Sequence, residues 1–237
     1  MRSGVQMSSG GSGGRSASAT DPRLPSRALG ARGSTVELDE VLRRRRMVRR
    51  YTDEPVSRAD QEALVQAALR APSAGSTQGL RLLVLSDEVD RARLWEATAW
   101  VPPDSQRARL GEHLRAAPLV IVPLCSEQAY RERYAEADKA WLPAADRWST
   151  PYWYVDAAFS SMLILLKAVD LGLGAAFLAF PPRFVPRFRE RFGVPEELEP
   201  IGLVLVGHRH PELGPSRRPE HRLPVEELVH RGRWGAR

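Results

Sequence analysis

The chain has 237 residues but only one cysteine, two lysines and five histidines. With Cys125 alone, no intrachain disulfide can form, and the reducing cytoplasm is the expected compartment. This cysteine follows the apolar run 119–124, so we expect a buried thiol that does not act as a nucleophile. The histidines do not combine with cysteine or carboxylates at metal-ligand spacing, so no metal site is predicted.

Several functional motifs are also missing. No Gly-x-Gly-x-x-Gly follows a predicted strand, no phosphate-binding Gly-x-x-x-x-Gly-Lys occurs, and no serine sits in a Gly-x-Ser-x-Gly turn. These absences argue against a dinucleotide-binding Rossmann fold, a P-loop enzyme and a serine hydrolase. The N-terminus lacks the apolar core of a signal peptide. The most apolar stretch, 155–173, contains Asp156, Lys167 and Asp170, so we predict a buried helix and no membrane span.

The positive charge is concentrated at the N-terminus. The formal net charge is +6, and residues 1–33 hold five arginines against Asp21, which leaves the remainder close to neutral. Residues 1–33 are also rich in serine and glycine, and we predict a disordered basic tail, with Met7 as an alternative start. A single domain is predicted over residues 34–237. A nucleic-acid-binding module that uses the tail stays open as an alternative, although the neutral domain argues against it.

Apolar periodicity and chain-breaking residues predict alternating helices and strands. Ser34-x-x-Glu37 is a capping-box pattern and predicts a helix that runs through the arginines at 43–46. A second helix is predicted to open at Ser57-x-x-Asp60 and to end before Pro72. The other predicted elements are strands at 80–85, 119–124, 175–180 and 201–207, and helices at 91–99, before 116, at 152–171 and at 183–191. This order predicts a three-layer α/β sandwich.

Two segments carry the chemistry. Residues 45–51 read RRMVRRY, and residues 71–79 read APSAGSTQG. Paired guanidinium groups suit a phosphate because their planar forks bind its oxygens two at a time. A loop of small residues lets a flat ring approach the backbone. From the residues alone, a solvated surface patch and an ordinary helix-ending turn remain alternative interpretations.

Together these segments resemble the nitroreductase family of FMN-dependent flavoenzymes. The long helix that includes Asp156 and leads to Gly172-Leu173-Gly174, the strand end Gly207-His208 and the basic segment at Arg217-Arg218 also match in the family's order. The resemblance covers about 34–234. It implies a mixed, mainly antiparallel sheet flanked by helices, in an intertwined homodimer with FMN sites at the interface.

The resemblance also implies cofactor-binding residues. The positions that match the family's phosphate and ribityl contacts are Arg45, Arg46, Met47, Arg49, Arg217 and Arg218. The positions that match its ring contacts are Pro72, Ser73, Ser76, Gln78, Leu178, Ala179 and Phe180. The last three belong to a strand end whose backbone N–H groups face flavin N5 and O4 in the family, and they are also consistent with a buried strand.

Three positions depart from the family pattern. Met47 replaces a common serine, Ser76 replaces asparagine, and Ala179 stands where some members carry glutamate. We expect altered redox tuning or substrate choice with the flavin retained.

The resemblance therefore implies a cytoplasmic, FMN-dependent oxidoreductase. Hydride would pass from NADH or NADPH through flavin N5 to a small electron acceptor, such as a nitroaromatic or a quinone, in ping-pong order. Because the cofactor carries the chemistry, no side chain is assigned as catalytic. Neither nucleic acid nor a membrane is an expected partner. The alternatives are a flavin-binding protein without turnover, for flavin storage, sensing or breakdown, and a reductase that uses a deazaflavin.

Overall fold

The protein is described by a computed structural model over residues 37–98, 108–139, 148–212 and 223–235. These residues all lie in one compact unit, Thr35–Arg237. The helices within them are α1 (Leu38–Arg44), α2 (Arg58–Ala68), α3 (Glu88–Thr98), α4 (Ala108–Arg115), α5 (Glu127–Ala135), α6 (Tyr152–Asp170), α7 (Val185–Phe192) and α8 (Val225–Leu228). The strands are β1 (Leu80–Leu85), β2 (Leu119–Cys125), β3 (Gly174–Ala179), β4 (Glu199–Pro200) and β5 (Gly202–Gly207).

The strands form one antiparallel sheet in the order β1-β2-β5-β3. Leu80 pairs with Cys125, Ile121 with Val204, and Ala179 with Gly202. The short β4 pairs with the end of β2. Strands β1 and β3 therefore lie at opposite edges, with β2 and β5 between them.

Helices cover both faces of the sheet, which explains why β2 and β5 are apolar throughout and fully buried. On one face, α3, α4 and α7 pack Leu94, Leu114 and Phe188 against β2, β3 and β5. On the other face, α2 and α6 pack Leu64 and Ile164 against the same sheet. Burying alternate strand residues on two sides produces the predicted three-layer sandwich.

The sequence-based elements agree with the structure, except at α1. We predicted a capping box at Ser34 and Glu37 and a helix through residue 46. Instead α1 ends at Arg44, and its N-cap is Glu37, which makes no side-chain cap bond. Ser34 lies outside the described residues. Arg45 leaves the helical region with a ψ of 126° because the following chain joins the edge of the sheet.

The apolar α6 is long enough and apolar enough to cross a membrane by length and composition. In this fold it packs against α2, β2 and β3. It also buries three polar residues, Asp156, Ser160 and Ser161, and the two serine hydroxyls donate to the backbone carbonyls four residues earlier. These are the contacts of a helix that packs one face into a protein core.

Candidate functional site

Residues 45–51, here called the arginine segment, lie along the outer edge of β3. Met47 forms a parallel bridge with Ala175, and the Val48 N–H donates to the Ala175 carbonyl at 2.9 Å. Further on, the Thr52 N–H donates to the carbonyl of His208 at 3.0 Å, just beyond β5. Residues 47–52 are therefore fixed at the end of the sheet where β3 begins and β5 ends.

Tyr51 secures this segment from inside the core. Its side chain is buried, and its hydroxyl donates to the carbonyl oxygens of Val48 and Leu205. Burial raises the pKa of the Tyr51 phenol, and the nearby Arg49 charge opposes that shift only in part. The neutral phenol therefore acts as a structural tie between the segment and β5.

The three candidate arginines differ in their surroundings. Arg45 has a buried Nη1 atom with no hydrogen-bond partner in the described part of the chain. Arg46 donates from Nη1 to the carbonyls of Arg43 at 2.7 Å and Arg45 at 2.9 Å, so it closes the C-terminus of α1. Arg49 is exposed.

A buried guanidinium nitrogen without a partner is costly, because desolvation is not repaid by a hydrogen bond. An anion beside Arg45 would satisfy it. A cavity of about 130 Å³ also lies beside the segment, and its lining includes Arg44, Arg46 and Arg209. The phosphate of FMN thus fits the donors at this end of β3.

The far end of β3 provides backbone groups. Leu178 and Phe180 are buried in the core, where the Phe180 ring meets Phe188 edge-on at 5.0 Å between centroids. Ala179 is exposed and pairs with Gly202 of β5. Within the described residues, β3 has strand pairing on its β5 side, whereas its outer side carries only the bridge at Met47.

A larger cavity of about 680 Å³ adjoins this strand end. Its apolar lining comes from β3, α6, α7 and the turns beside them, and includes Phe177, Phe180 and Val185. Tyr154 and Glu199 supply polar groups and are hydrogen-bonded to each other. That hydrogen bond and partial burial raise the pKa of Tyr154 to about 12.

The loop after α2 has an unusual backbone. Gly75, Ser76 and Gln78 have φ values of 64°, 55° and 55°, in the left-handed region that disfavours residues with a Cβ atom. The Ser73 hydroxyl oxygen accepts from the Gln78 N–H at 2.9 Å, and the Thr77 hydroxyl donates to the Ala74 carbonyl at 2.6 Å. Pro72, Ser76 and Gln78 are exposed.

Two residues that the sequence analysis did not assign hold this loop. Asp156 of α6 accepts from the Ala74 N–H at 2.7 Å and from the Tyr130 hydroxyl at 2.5 Å, both at Oδ2. The Ser73 hydroxyl lies 3.4 Å from the Tyr130 hydroxyl. Burial and the bond to Asp156 raise the pKa of Tyr130. In the sequence, the indication of this role is that Asp156 is an acidic residue within an apolar helix.

Helix α5 also shapes the loop through close packing. A Cβ atom added at Gly75 would lie 2.7 Å from the Tyr134 ring, and one added at Gly79 would lie 2.6 Å from the Tyr130 ring. Arg133 donates from Nε to the Gly75 carbonyl at 3.0 Å. Glycine at position 79 is therefore required by the Tyr130 ring packed against it.

The two halves of the candidate site are separated within one chain. The loop precedes β1 and packs beside the N-terminal part of α6, whereas the arginine segment lies on β3. Three strand spacings separate β1 from β3, or roughly 14 Å. The structure therefore unites the arginine segment with β3, but it does not bring the loop to them.

Arg217 and Arg218 lie outside the described residues. Within the described ranges, no three His, Cys, Asp or Glu side chains are arranged to hold a metal ion. Cys125 is buried, and burial, followed by the charge of Glu199, raises its pKa to about 12.

Comparisons with known proteins agree with this architecture. A sequence model described as the nitroreductase family matches residues 42–208. An NADH dehydrogenase from Thermus thermophilus is 29% identical over 215 residues, covering 78% of this chain and 91% of that protein. The structure of an FMN-dependent nitroreductase from Clostridium difficile R20291 has a TM-score of 0.61 at 20% identity, covering 82% of this chain and 98% of that one. NfrA2 from B. megaterium has a TM-score of 0.64 at 22% identity, covering 83% and 74%.

Proposed function

This chain belongs to the nitroreductase family of flavin-dependent oxidoreductases, and we propose that it binds FMN and reduces a small electron acceptor with NADH or NADPH. Bound FMN would supply hydride-transfer chemistry at its N5 atom. A quinone acceptor would take up that hydride and one proton to become a hydroquinone. A nitroaromatic compound is the other acceptor class that we propose.

The unpartnered guanidinium nitrogen of Arg45 is the observation that carries the proposal. Arg45 lies just before residues 47–52, whose backbone is fixed by β3, by the carbonyl of His208 and by Tyr51. A charge-assisted hydrogen bond to phosphate would satisfy the unpartnered nitrogen. Arg49 is exposed on the same segment and is proposed as a second phosphate contact.

We propose that the flavin ring lies along the remaining part of β3. From Ala175 to Phe180 the strand advances about 16 Å, which an extended FMN molecule can follow. The backbone of Leu178, Ala179 and Phe180 is proposed to face the ring. None of these side chains titrates, so the proton for a reduced acceptor would come from solvent or from the acceptor's own surroundings. The cavity beside Phe180 is proposed as the entry for the acceptor.

We also propose that a second copy of the chain completes each site. The loop at 72–78 is separated from β3 by the width of the sheet, so the loop that lines a given ring would come from the partner subunit. Exposed apolar residues support such an association. They include Leu38 and Leu42 of α1, Phe159 and Met162 of α6, and Leu228 and Trp234 near the C-terminus.

The proposed activity is tested with FMN-loaded protein in stopped-flow mixing. NADH or NADPH should bleach the flavin absorbance without an acceptor, and a quinone or nitroaromatic should restore it in a second mixing step. Bleaching only by a reduced deazaflavin would assign the reductant to that class. A bound FMN that neither nicotinamide nor deazaflavin reduces would instead identify a flavin-binding protein without turnover.

Mixed dimers test the shared site. One chain carries Arg45→Ala and Arg49→Ala, and the other carries Pro72→Asp and Gln78→Asp in the loop. If the halves come from different copies, the mixed dimer has one intact site and one doubly altered site, and half of the sites should bind FMN. If each site lies within one chain, mixing should restore no binding.

A further inference from the structure

Asp156 and Tyr130 form a buried polar pair behind the loop at 73–78, outside the groups proposed to touch FMN. Asp156 is 7% exposed and Tyr130 is 1% exposed. Both donors to Asp156, the Ala74 amide and the Tyr130 hydroxyl, meet at Oδ2. Within the described ranges, no lysine or arginine forms an ion pair with this carboxylate, so hydrogen bonds carry its stabilisation.

These bonds connect both ends of the loop to the core. The Gln78 N–H donates to the Ser73 hydroxyl oxygen, and that oxygen lies 3.4 Å from the Tyr130 hydroxyl. Asp156 then holds the Ala74 amide and the same tyrosine. One carboxylate on α6 therefore controls the position of residues 73, 74 and 78 together.

The loop needs such a tie because its backbone is strained. Ser76 and Gln78 both have a φ of 55° although they carry a Cβ atom. Such conformations persist only where the surrounding structure holds them in place, and they concentrate at ligand-binding sites. The two residues in this conformation are also exposed, whereas Ser73 is directed to Tyr130.

The surroundings make the pair rigid. The Tyr130 ring packs against Trp148 and Trp153, with centroids 6.0 and 6.2 Å away. Exclusion of water by these rings strengthens the bonds to Asp156. Gly79 lies directly on the Tyr130 ring, so the ring cannot shift without moving the loop.

We propose that Asp156 and Tyr130 are positioning residues that set the orientation of Ser76 and Gln78 against the bound flavin ring. This inference deepens the proposed function and rests on it. Neither residue is proposed to touch the cofactor. Their effect passes through the Ala74 amide and Ser73.

The first test needs no cofactor. Amide hydrogen exchange is measured at Ala74 and Gln78 in the full-length, FMN-free protein and in Asp156→Asn and Tyr130→Phe. Because a neutral amide accepts more weakly than a carboxylate, Ala74 should exchange roughly tenfold faster or more in Asp156→Asn. Tyr130→Phe should accelerate exchange at both amides.

Tyr134→Phe is the matched control, because that neighbouring ring contacts the loop, yet its hydroxyl makes no hydrogen bond within the described residues. Unchanged exchange in both variants would overturn the proposal.

The second test uses the FMN-loaded proteins. Both variants should retain FMN, while the midpoint potential of the flavin shifts or the KM for a quinone rises relative to Tyr134→Phe. Faster exchange with an unaltered potential and KM would mean a purely structural tie and would also overturn the positioning role. If the wild-type protein takes up no FMN, the proposed function fails and the positioning role fails with it. The exchange data would still identify the tie itself, so the two failures are distinguishable.

Discussion

The two halves of the candidate flavin site satisfy their polar groups in opposite ways. In the loop at 73–78, the amides of Ala74 and Gln78 and the carbonyl of Gly75 all have protein partners. In the arginine segment, the backbone is fixed but a buried nitrogen of Arg45 has none. The loop therefore provides shape that exists before binding, and the arginine segment provides charge that a ligand must complete.

The largest effect is expected at Arg45. Replacing it with alanine should weaken FMN binding by about 1.5 to 3 kcal/mol, or roughly 10- to 150-fold, through loss of a charge-assisted bond. The thermal stability of the FMN-free protein should not fall, because Nη1 has no partner to lose. Fluorescence titration and thermal unfolding measure the two quantities.

Arg43→Ala is the control for this prediction. Arg43 lies on α1 and pairs with Glu40, so FMN affinity should stay unchanged. An Arg45→Ala protein that binds FMN as tightly as the wild type would remove Arg45 from the phosphate site. A marked loss of stability in the FMN-free variant would mean that the guanidinium is already satisfied.

A steric change should break the loop instead. In Gly79→Ala the new methyl group would lie 2.6 Å from the ring of Tyr130, which is buried and cannot withdraw. We expect the free energy of unfolding to fall by about 1 to 3 kcal/mol. Denaturant unfolding measures the loss.

A Tyr130→Leu change in the same chain should make the added methyl group less costly than it is in the wild-type background. An additive double variant would show that the ring does not confine the loop.

The smallest effect should come from relieving strain. Glycine at position 76 would relieve the strain of the left-handed backbone conformation. It would also raise the conformational entropy of the unfolded chain, and the two effects oppose each other. Ser76→Gly should therefore change the free energy of unfolding by less than about 1 kcal/mol. The helical control Ala63→Gly in α2 should lose roughly 1 kcal/mol. Equal losses at the two positions would indicate that Ser76 does not adopt this conformation.

Much of the fold could be predicted because its signals are local. Strands β1 and β2 follow from the apolar runs at 80–85 and 119–124, and α6 follows from its long periodic stretch. Pro72 prevents the helical chain from continuing far beyond α2. The end of α1 was predicted wrongly. Arginine favours helix, but bridging of Met47 to Ala175 draws the chain onto the sheet at Arg45.

The site was harder to predict than the fold. The resemblance identified the arginine segment and the loop, but their separation follows from strand order, which no local pattern contains. Asp156 and Tyr130 were missed because their bonds join residues far apart in the chain. Side-chain partners of this kind depend on how helices pack across a sheet.

Comparing the binding of FMN and riboflavin isolates the contribution of the phosphate, because the two ligands differ only in that group. Titration of the flavin-free protein should show FMN bound at least roughly tenfold more tightly than riboflavin. In the double variant Arg45→Ala, Arg49→Ala the two affinities should become nearly equal. Equal affinities in the wild type, or a preference for FMN that survives in the double variant, would contradict the assignment of the phosphate to this segment.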